Sequence, residues 1–207
     1  MAVPFTVQFD DGYISLPDNV SDGSNANYTF ENSELGENAF AARDASQEER
    51  AVPETQIDGD ETDEELYGYN SSDRFNGGGG DTMNGGAGTD TASYAGATER
   101  VGIRLRDTSF QSGEASGDVL INIDNLIGSD FDDYLGGDDQ RNFIYGGAGN
   151  DRICGFGGID ELHGEDGDDE LTTSYWHDDR LYGGAGNDEL NGSSSDDFLY
   201  GGRAMTG

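Results

Sequence analysis

Along the second half of the chain, single apolar residues recur at an interval of nine: Leu135, Ile144, Ile153, Leu162 and Leu171, continuing after a one-residue slip as Leu181, Leu190 and Leu199. Two residues before each stands a small polar residue, nearly always acidic: Asp133, Asn142, Asp151, Asp160, Asp169, Asp179, Asp188 and Asp197. The five residues before the acid are small and glycine-rich, as in GGAGNDRIC from Gly146 and GGAGNDELN from Gly183. An apolar residue flanked by two polar ones predicts a three-residue strand with only its middle side chain inward. The glycine-rich run predicts a turn that adopts positive φ. One copy is then a half-coil of turn plus strand. Two copies complete a coil, and copies i and i+2 stack one strand spacing apart, about 4.8 Å. A sustained period of this kind predicts a solenoid.

The copies are uneven. From Gly128 to Thr172 the period holds without a slip through GSDFDDYLG, GDDQRNFIY, GGAGNDRIC, GFGGIDELH and GEDGDDELT. Thr173 is one extra residue, so the next copy starts at Ser174 as SYWHDDRLY, whose turn has no glycine. An earlier block contains GDETDEELY from Gly59, GYNSSDRFN from Gly68 and GGAGTDTAS from Gly85. Between the last two, NGGGGDTMN from Asn76 places Asp81 at position six and Met83 at position eight. Asp73 with Asp90 is the better pair of this block, and Glu64 with Asp81 the weaker.

Residues 94–127 lose the period. Alternation at Val101, Ile103 and Leu105 predicts a strand. Leu120 to Ile127 predicts two more, with Gly113 and Gly117 in the turns between. We read this stretch as larger coils of the same stack, without the regular acids of the repeats; an inserted loop is the alternative. Before residue 57 the composition changes: all three prolines lie there, at Pro4, Pro17 and Pro53, with few glycines. Strands are expected around Phe5–Phe9, Tyr13–Leu16 and Tyr28–Phe30, and a helix or a linker over Glu37–Arg50. The organisation expected is a capping or attachment segment at 1–56, a first repeat block at 57–93, a spacer at 94–127 and a second block at 128–207.

Stacking copies i and i+2 places the position-six carboxylates in columns beside turn carbonyls. Calcium, which takes 6–8 oxygens at about 2.3–2.6 Å, suits such columns. The copies resemble the RTX (repeats-in-toxin) calcium-binding nonapeptide family, which implies an all-β, right-handed parallel β-roll. The resemblance further implies that each ion takes carbonyls two and four and the position-six Asp of one copy. It takes carbonyls one and three and the Asp of the copy two further on. One column then runs Asp133, Asp151, Asp169, Asp188, and the other Asn142, Asp160, Asp179, Asp197. Gly147 and Gly149 face Gly164 and Asp166 across one ion, and Gly146 and Ala148 serve the ion below. The same positions bring in Gly155, Gly157, Gly158, Gly167, Gly183, Ala185, Gly192 and Ser194. In the first block they bring in Gly85 and Ala87 with Asp73, Asp81 and Asp90. Asn142 deprives its ion of one charge, the site closed by Asp179 is weakened by its glycine-free turn, and a site above Asp188 is incomplete.

The charge sharpens this picture. There are 44 acidic residues against 10 basic ones, a formal net charge of −34, and every basic residue is Arg. Such a chain repels itself when compact, and its narrow apolar row cannot offset the chain entropy alone. Calcium is therefore the expected folding switch. Nucleic acid and anionic membranes are excluded as partners on charge, and membrane insertion for want of a long apolar run. The absence of Lys removes Walker and Schiff-base chemistry, and neither HExxH nor GxSxG occurs; no catalysis is expected. Cys154 and His163 fall at outward positions, Cys154 as an exposed thiol. The outward aromatic residues Phe143, Tyr145, Tyr182, Phe198 and Tyr200 share one sheet. They form either a ladder stabilising that sheet or a docking face for a second copy or partner, a role the N-terminal segment also offers.

Residues 1–20 lack a signal peptide's basic start and apolar run. The resemblance implies one-step export with a signal beyond the repeats, and the chain stops inside a repeat, which fits a fragment. The expected role is an extracellular or cell-surface calcium-binding protein, structural or adhesive. The alternatives are the calcium module of a larger secreted enzyme and an assembly protein of a surface layer, matrix or virion.

Overall fold

The computed structural model describes residues 9–10, 13–14, 55–59, 63–107 and 110–202. Among the described residues the regular structure is entirely β, and no helix is long and apolar enough to cross a membrane. The strands are β1 (Phe9–Asp10), β2 (Tyr13–Ile14), β3 (Thr55–Asp58), β4 (Glu65–Tyr67), β5 (Asp73–Asn76), β6 (Thr82–Asn84) and β7 (Thr91–Ser93). There follow β8 (Val101–Arg104), β9 (Ser112–Gly113), β10 (Val119–Ile121), β11 (Asn125–Ile127), β12 (Tyr134–Gly136) and β13 (Phe143–Ala148). The remainder are β14 (Arg152–Cys154), β15 (Glu161–Asp166), β16 (Glu170–Thr172), β17 (Arg180–Ala185), β18 (Glu189–Asn191) and β19 (Phe198–Tyr200).

An eight-stranded parallel sheet runs β3-β5-β7-β11-β13-β15-β17-β19. The facing wall is divided into β4-β6-β10 and β9-β8-β12-β14-β16-β18. Strands therefore alternate between walls, one half-coil per copy, as the nine-residue pattern requires. The inward residues stack in register: Leu126 on Ile144, Ile144 on Leu162 and Leu162 on Leu181, facing Leu135 on Ile153 and Ile153 on Leu171. All of these are buried. The flanking polar residues point outward, so the core through the second block is one side chain wide on each wall.

Glycine is required where turn backbones pass close together. Gly149 has φ of 117°, and a Cβ there would lie 2.7 Å from the Phe131 carbonyl oxygen of the coil below.

Between β7 and β12 the strand pairing changes. β10 and β11 stack on β6 and β7, but β8 leaves that level and pairs with β12. β9 then returns antiparallel to β8, with Gly113 at φ of 67° in the pairing. The result is a hairpin at the end of the six-stranded part of the divided wall. Val101 and Ile103 alternate as a strand should, and both are buried.

The stack also begins before the first glycine copy, because β3 pairs with β5 and sets Ile57 beside Phe75. In the N-terminal stretch β1 pairs antiparallel with β2. The rest of the strands expected near them, the Tyr28–Phe30 strand and the Glu37–Arg50 helix lie outside the described residues. The Cys154 thiol is half-buried rather than exposed, and that burial pushes it up.

Two substitutions test the stacking. Leu162→Ala, at a fully buried site, should cost about 2–5 kcal/mol in chemical denaturation with saturating calcium. Gly149→Ala should lower the melting temperature clearly. Gly96→Ala, where a Cβ meets nothing within 4 Å, should leave it unchanged. Equal effects of the two glycine changes would contradict the close stacking of turns.

Candidate metal centre

Each position-six side chain is fixed by the coil beneath it. The Asp133 amide donates to Asp151 Oδ1 at 2.8 Å, that of Asp151 to Asp169 Oδ1 at 2.8 Å, and that of Asp169 to Asp188 Oδ1 at 3.2 Å. In the other column Asn142 donates to Asp160 at 3.0 Å, Asp160 to Asp179 at 2.8 Å and Asp179 to Asp197 at 3.0 Å. The first block repeats this from Glu64 to Asp81 and from Asp73 to Asp90, at 3.0 and 2.8 Å. Both columns thus exist as hydrogen-bonded chains rising one coil at a time.

With Oδ1 so engaged, Oδ2 points into the turn. A Cβ on Gly146 would run into Asp151 Oδ2 and would lie 2.7 Å from the Gly164 carbonyl oxygen. Gly164, Gly155 and Gly183 stand in the same relation to Oδ2 of Asp169, Asp160 and Asp188, and Gly85 and Gly192 to Asp90 and Asp197. Position one is glycine there because carboxylate and carbonyl oxygens occupy the space of a side chain.

Positions two and four carry the positive φ that turns their carbonyls along the stack. Gly147, Gly184 and Gly86 adopt it at position two, and Gly149, Gly158, Gly167, Gly186 and Gly88 at position four. Tyr69, Phe156, Glu165 and Tyr175 hold position two at φ of 65–76° without being glycine. The carbonyl of Ser129 lies beneath Gly147, that of Glu165 beneath Gly184, and those of Phe131 and Gly149 beneath Gly149 and Gly167. At position three, the Asp166 and Ala185 carbonyls accept the amides of Gly149 and Gly167, at 2.9 and 2.8 Å, leaving each a second lone pair. The Ala87 amide donates to the Tyr69 carbonyl. Ala148 lies on β13 opposite Asp166, Gly157 donates to the Asp138 carbonyl, and Ser194 is exposed in the last turn.

The Oδ2 atoms of Asp73, Asp151, Asp160, Asp169, Asp179 and Asp188 are buried without a hydrogen-bond donor. Buried acceptors in this state are rare and costly. Burial is the chief cause that pushes four column carboxyls up, Asp160 to about 8, Asp151 to about 7, Asp90 and Asp169 to about 6. Neighbours in the same column add to the shift, Asp179 at Asp160 and both Asp133 and Asp169 at Asp151. Asp81, Asp133 and Asp179 shift upward from the same chief cause. Paired carboxylates with stacked carbonyls form an all-oxygen donor set that fits a hard divalent cation. Among the described residues no three His, Cys, Asp or Glu side chains converge as a side-chain metal cluster.

The glycine-free turn at Ser174 keeps the positive φ of position two but not that of position four. Tyr175 takes φ of 74°, and Asp179 joins its column with the usual hydrogen bonds. Two column members were missed in the sequence. Asp118 accepts the Asp81 amide at 2.8 Å, and Asp124 accepts the Asp90 amide at 2.8 Å. Both stand two residues before a buried leucine, Leu120 and Leu126. That acid-x-apolar signature was available without the nine-residue spacing.

A raised carboxyl means that the folded chain holds protons the unfolded chain, near 3.9, has released. Stability from these groups is therefore present near pH 4 and lost as pH rises through 6–8. In chelator, β-sheet circular dichroism should be stronger at pH 5 than at pH 8, and calcium should flatten the difference. Asp151→Asn should stabilise the chelated protein at pH 8 yet raise the calcium midpoint roughly tenfold, through loss of a ligand charge. A variant changed in neither respect would remove Asp151 from the site.

The family model of the RTX calcium-binding nonapeptide repeat matches residues 58–92, 122–153, 155–175 and 173–203, more than half of the chain. A search of curated proteins found none that matches. With the stacked nine-residue half-coils and their oxygen-lined turns, that match places this chain in the RTX calcium-binding nonapeptide-repeat family, as a parallel β-solenoid.

Proposed function

We propose that calcium is the counter-ion of both columns, and that the protein is an extracellular scaffold whose repeat blocks fold when calcium binds. The buried, unpartnered Oδ2 atoms at successive levels carry this reading. An ion between the Asp151 and Asp169 levels would draw on those two carboxylates, on the Gly147 and Gly149 carbonyls below and on those of Gly164 and Asp166 above. The equivalent residues hold the ion between Asp160 and Asp179, and Asp73 with Asp90 holds one in the first block. Calcium supplies two positive charges and a tie between coils. The chain supplies the registered oxygens and excludes water from them. Extracellular calcium, roughly millimolar, matches modular sites of this kind, which supports a secreted or cell-surface location. The role proposed is structural or adhesive, without catalysis.

The aromatic wall supports the adhesive side. Tyr145, His163 and Tyr182 stack with ring centroids 4.6 Å apart, a ladder that serves the sheet itself. Phe198 and Tyr200 beyond them are exposed and form the patch proposed for a partner or a second copy. Replacing both with Ser should abolish concentration-dependent association while leaving the calcium response intact; unchanged association would remove this surface from consideration.

A calcium titration followed by far-UV circular dichroism tests the main reading. The β signal should rise cooperatively near millimolar calcium and hardly respond to magnesium, which demands tighter octahedral geometry. A signal indifferent to calcium would overturn it.

A further inference from the structure

We infer that the middle of the solenoid, residues 94–107 and 110–145, is held by protein groups alone and is a calcium-independent seed on which the flanking repeat blocks order. The inference rests on calcium being the counter-ion of the flanks, and three observations carry it.

The first concerns the column oxygens. At the centre they have protein donors. The Tyr94 hydroxyl, itself buried, donates to Asp118 Oδ2, while Asp118 Oδ1 takes the Asp81 amide. Asp133 accepts the Val101 amide at 2.7 Å, the Ser129 amide at 2.6 Å and the Ser129 hydroxyl at 2.8 Å. Asn142 supplies its own donor: Nδ2 reaches the Asp124 carbonyl at 2.7 Å, and Oδ1 accepts the Asp138 amide at 2.8 Å. The buried oxygens without a donor lie on either side, at Asp73 and from Asp151 to Asp188. A hydroxyl, a serine turn and an amide therefore fill places that an ion fills elsewhere.

The second concerns the core. Across the centre it widens to Tyr94, Val101, Ile103, Leu120, Leu126 and Leu135, all buried. From residue 146 to Leu181 each half-coil buries a single apolar residue, such as Ile153 or Leu162, while Leu190 is half-buried and Leu199 exposed. More apolar surface is removed from water per coil where the ions are not needed.

The third concerns the hairpin. The Arg104 guanidinium lies over Phe110 at 3.9 Å and over Tyr134 at 4.8 Å, and donates to the Tyr134 hydroxyl at 2.7 Å. This cation–π clasp joins the β8–β9 hairpin to β12 without a metal. A nucleus built this way gives the parallel flanks an edge to pair with, and a solenoid propagates by nearest-neighbour stacking once begun.

Amide hydrogen exchange on the full chain at neutral pH, in chelator and then in calcium, decides the matter. In chelator, amides of β8, β10, β11 and β12 should exchange at least about tenfold more slowly than those of β15 to β18, and calcium should then protect the latter. Tyr94→Phe, which leaves Asp118 Oδ2 without its donor, should lose the central protection in chelator and regain it in calcium. If that variant does not fold, the comparison within the unaltered chain still decides. Central strands exchanging as fast as the flanks in chelator, with calcium protecting both, would overturn the seed and leave the calcium reading standing. Flanks already protected in chelator would overturn the calcium reading, and the seed with it.

Discussion

The structure depends on one electrostatic constraint: carboxylates one strand spacing apart, in two buried columns, within a chain of net charge −34. Unscreened like charges at such separations repel strongly, and burial adds the cost of removing each from water. The backbone commits one oxygen of each carboxylate by donating the amide of the coil below to Oδ1. The other oxygen then faces the turn carbonyls. The bond that orders each carboxylate therefore also builds the oxygen cage, and both gather buried negative charge at a cost. A core of one inward side chain per half-coil is too thin to carry that penalty alone. This is why composition, fold and metal chemistry are inseparable through the repeat blocks.

Much of this was legible in the chain because a nine-residue unit repeats physics as well as letters. The inward residues, the two-wall alternation and both columns follow from an apolar residue at position eight and an acid at position six. What was not legible lies where local pattern stops specifying neighbours. Val101 and Ile103 alternate as any strand does, and nothing in that alternation says that β8 pairs upward with β12 rather than downward with β6. Asp118 and Asp124 hold column places without the spacing that marks the others. The turn at Tyr175 has no glycine, yet the stacked coils on either side hold that residue in the left-handed region, an instance of tertiary packing overriding local preference.

The columns are not uniform, and the variation has chemical sense. At Asp118, Asp133 and Asn142 the donor to the inward oxygen belongs to the protein: the Tyr94 hydroxyl, the Ser129 amide and the Asp138 amide. At Asp73 and from Asp151 to Asp188 no protein donor reaches the inward oxygen. The levels thus differ in whether a protein donor reaches the inward oxygen.

The central claim, that calcium occupies the space in front of the unpartnered carboxylate oxygens, is tested most directly by crystallography of the calcium-loaded protein with anomalous scattering. The account predicts peaks between successive coils beside Oδ2 of Asp151, Asp160 and Asp169, each ringed by turn carbonyls at about 2.3–2.6 Å. Water at those positions, or peaks confined to the outer surface, would contradict it.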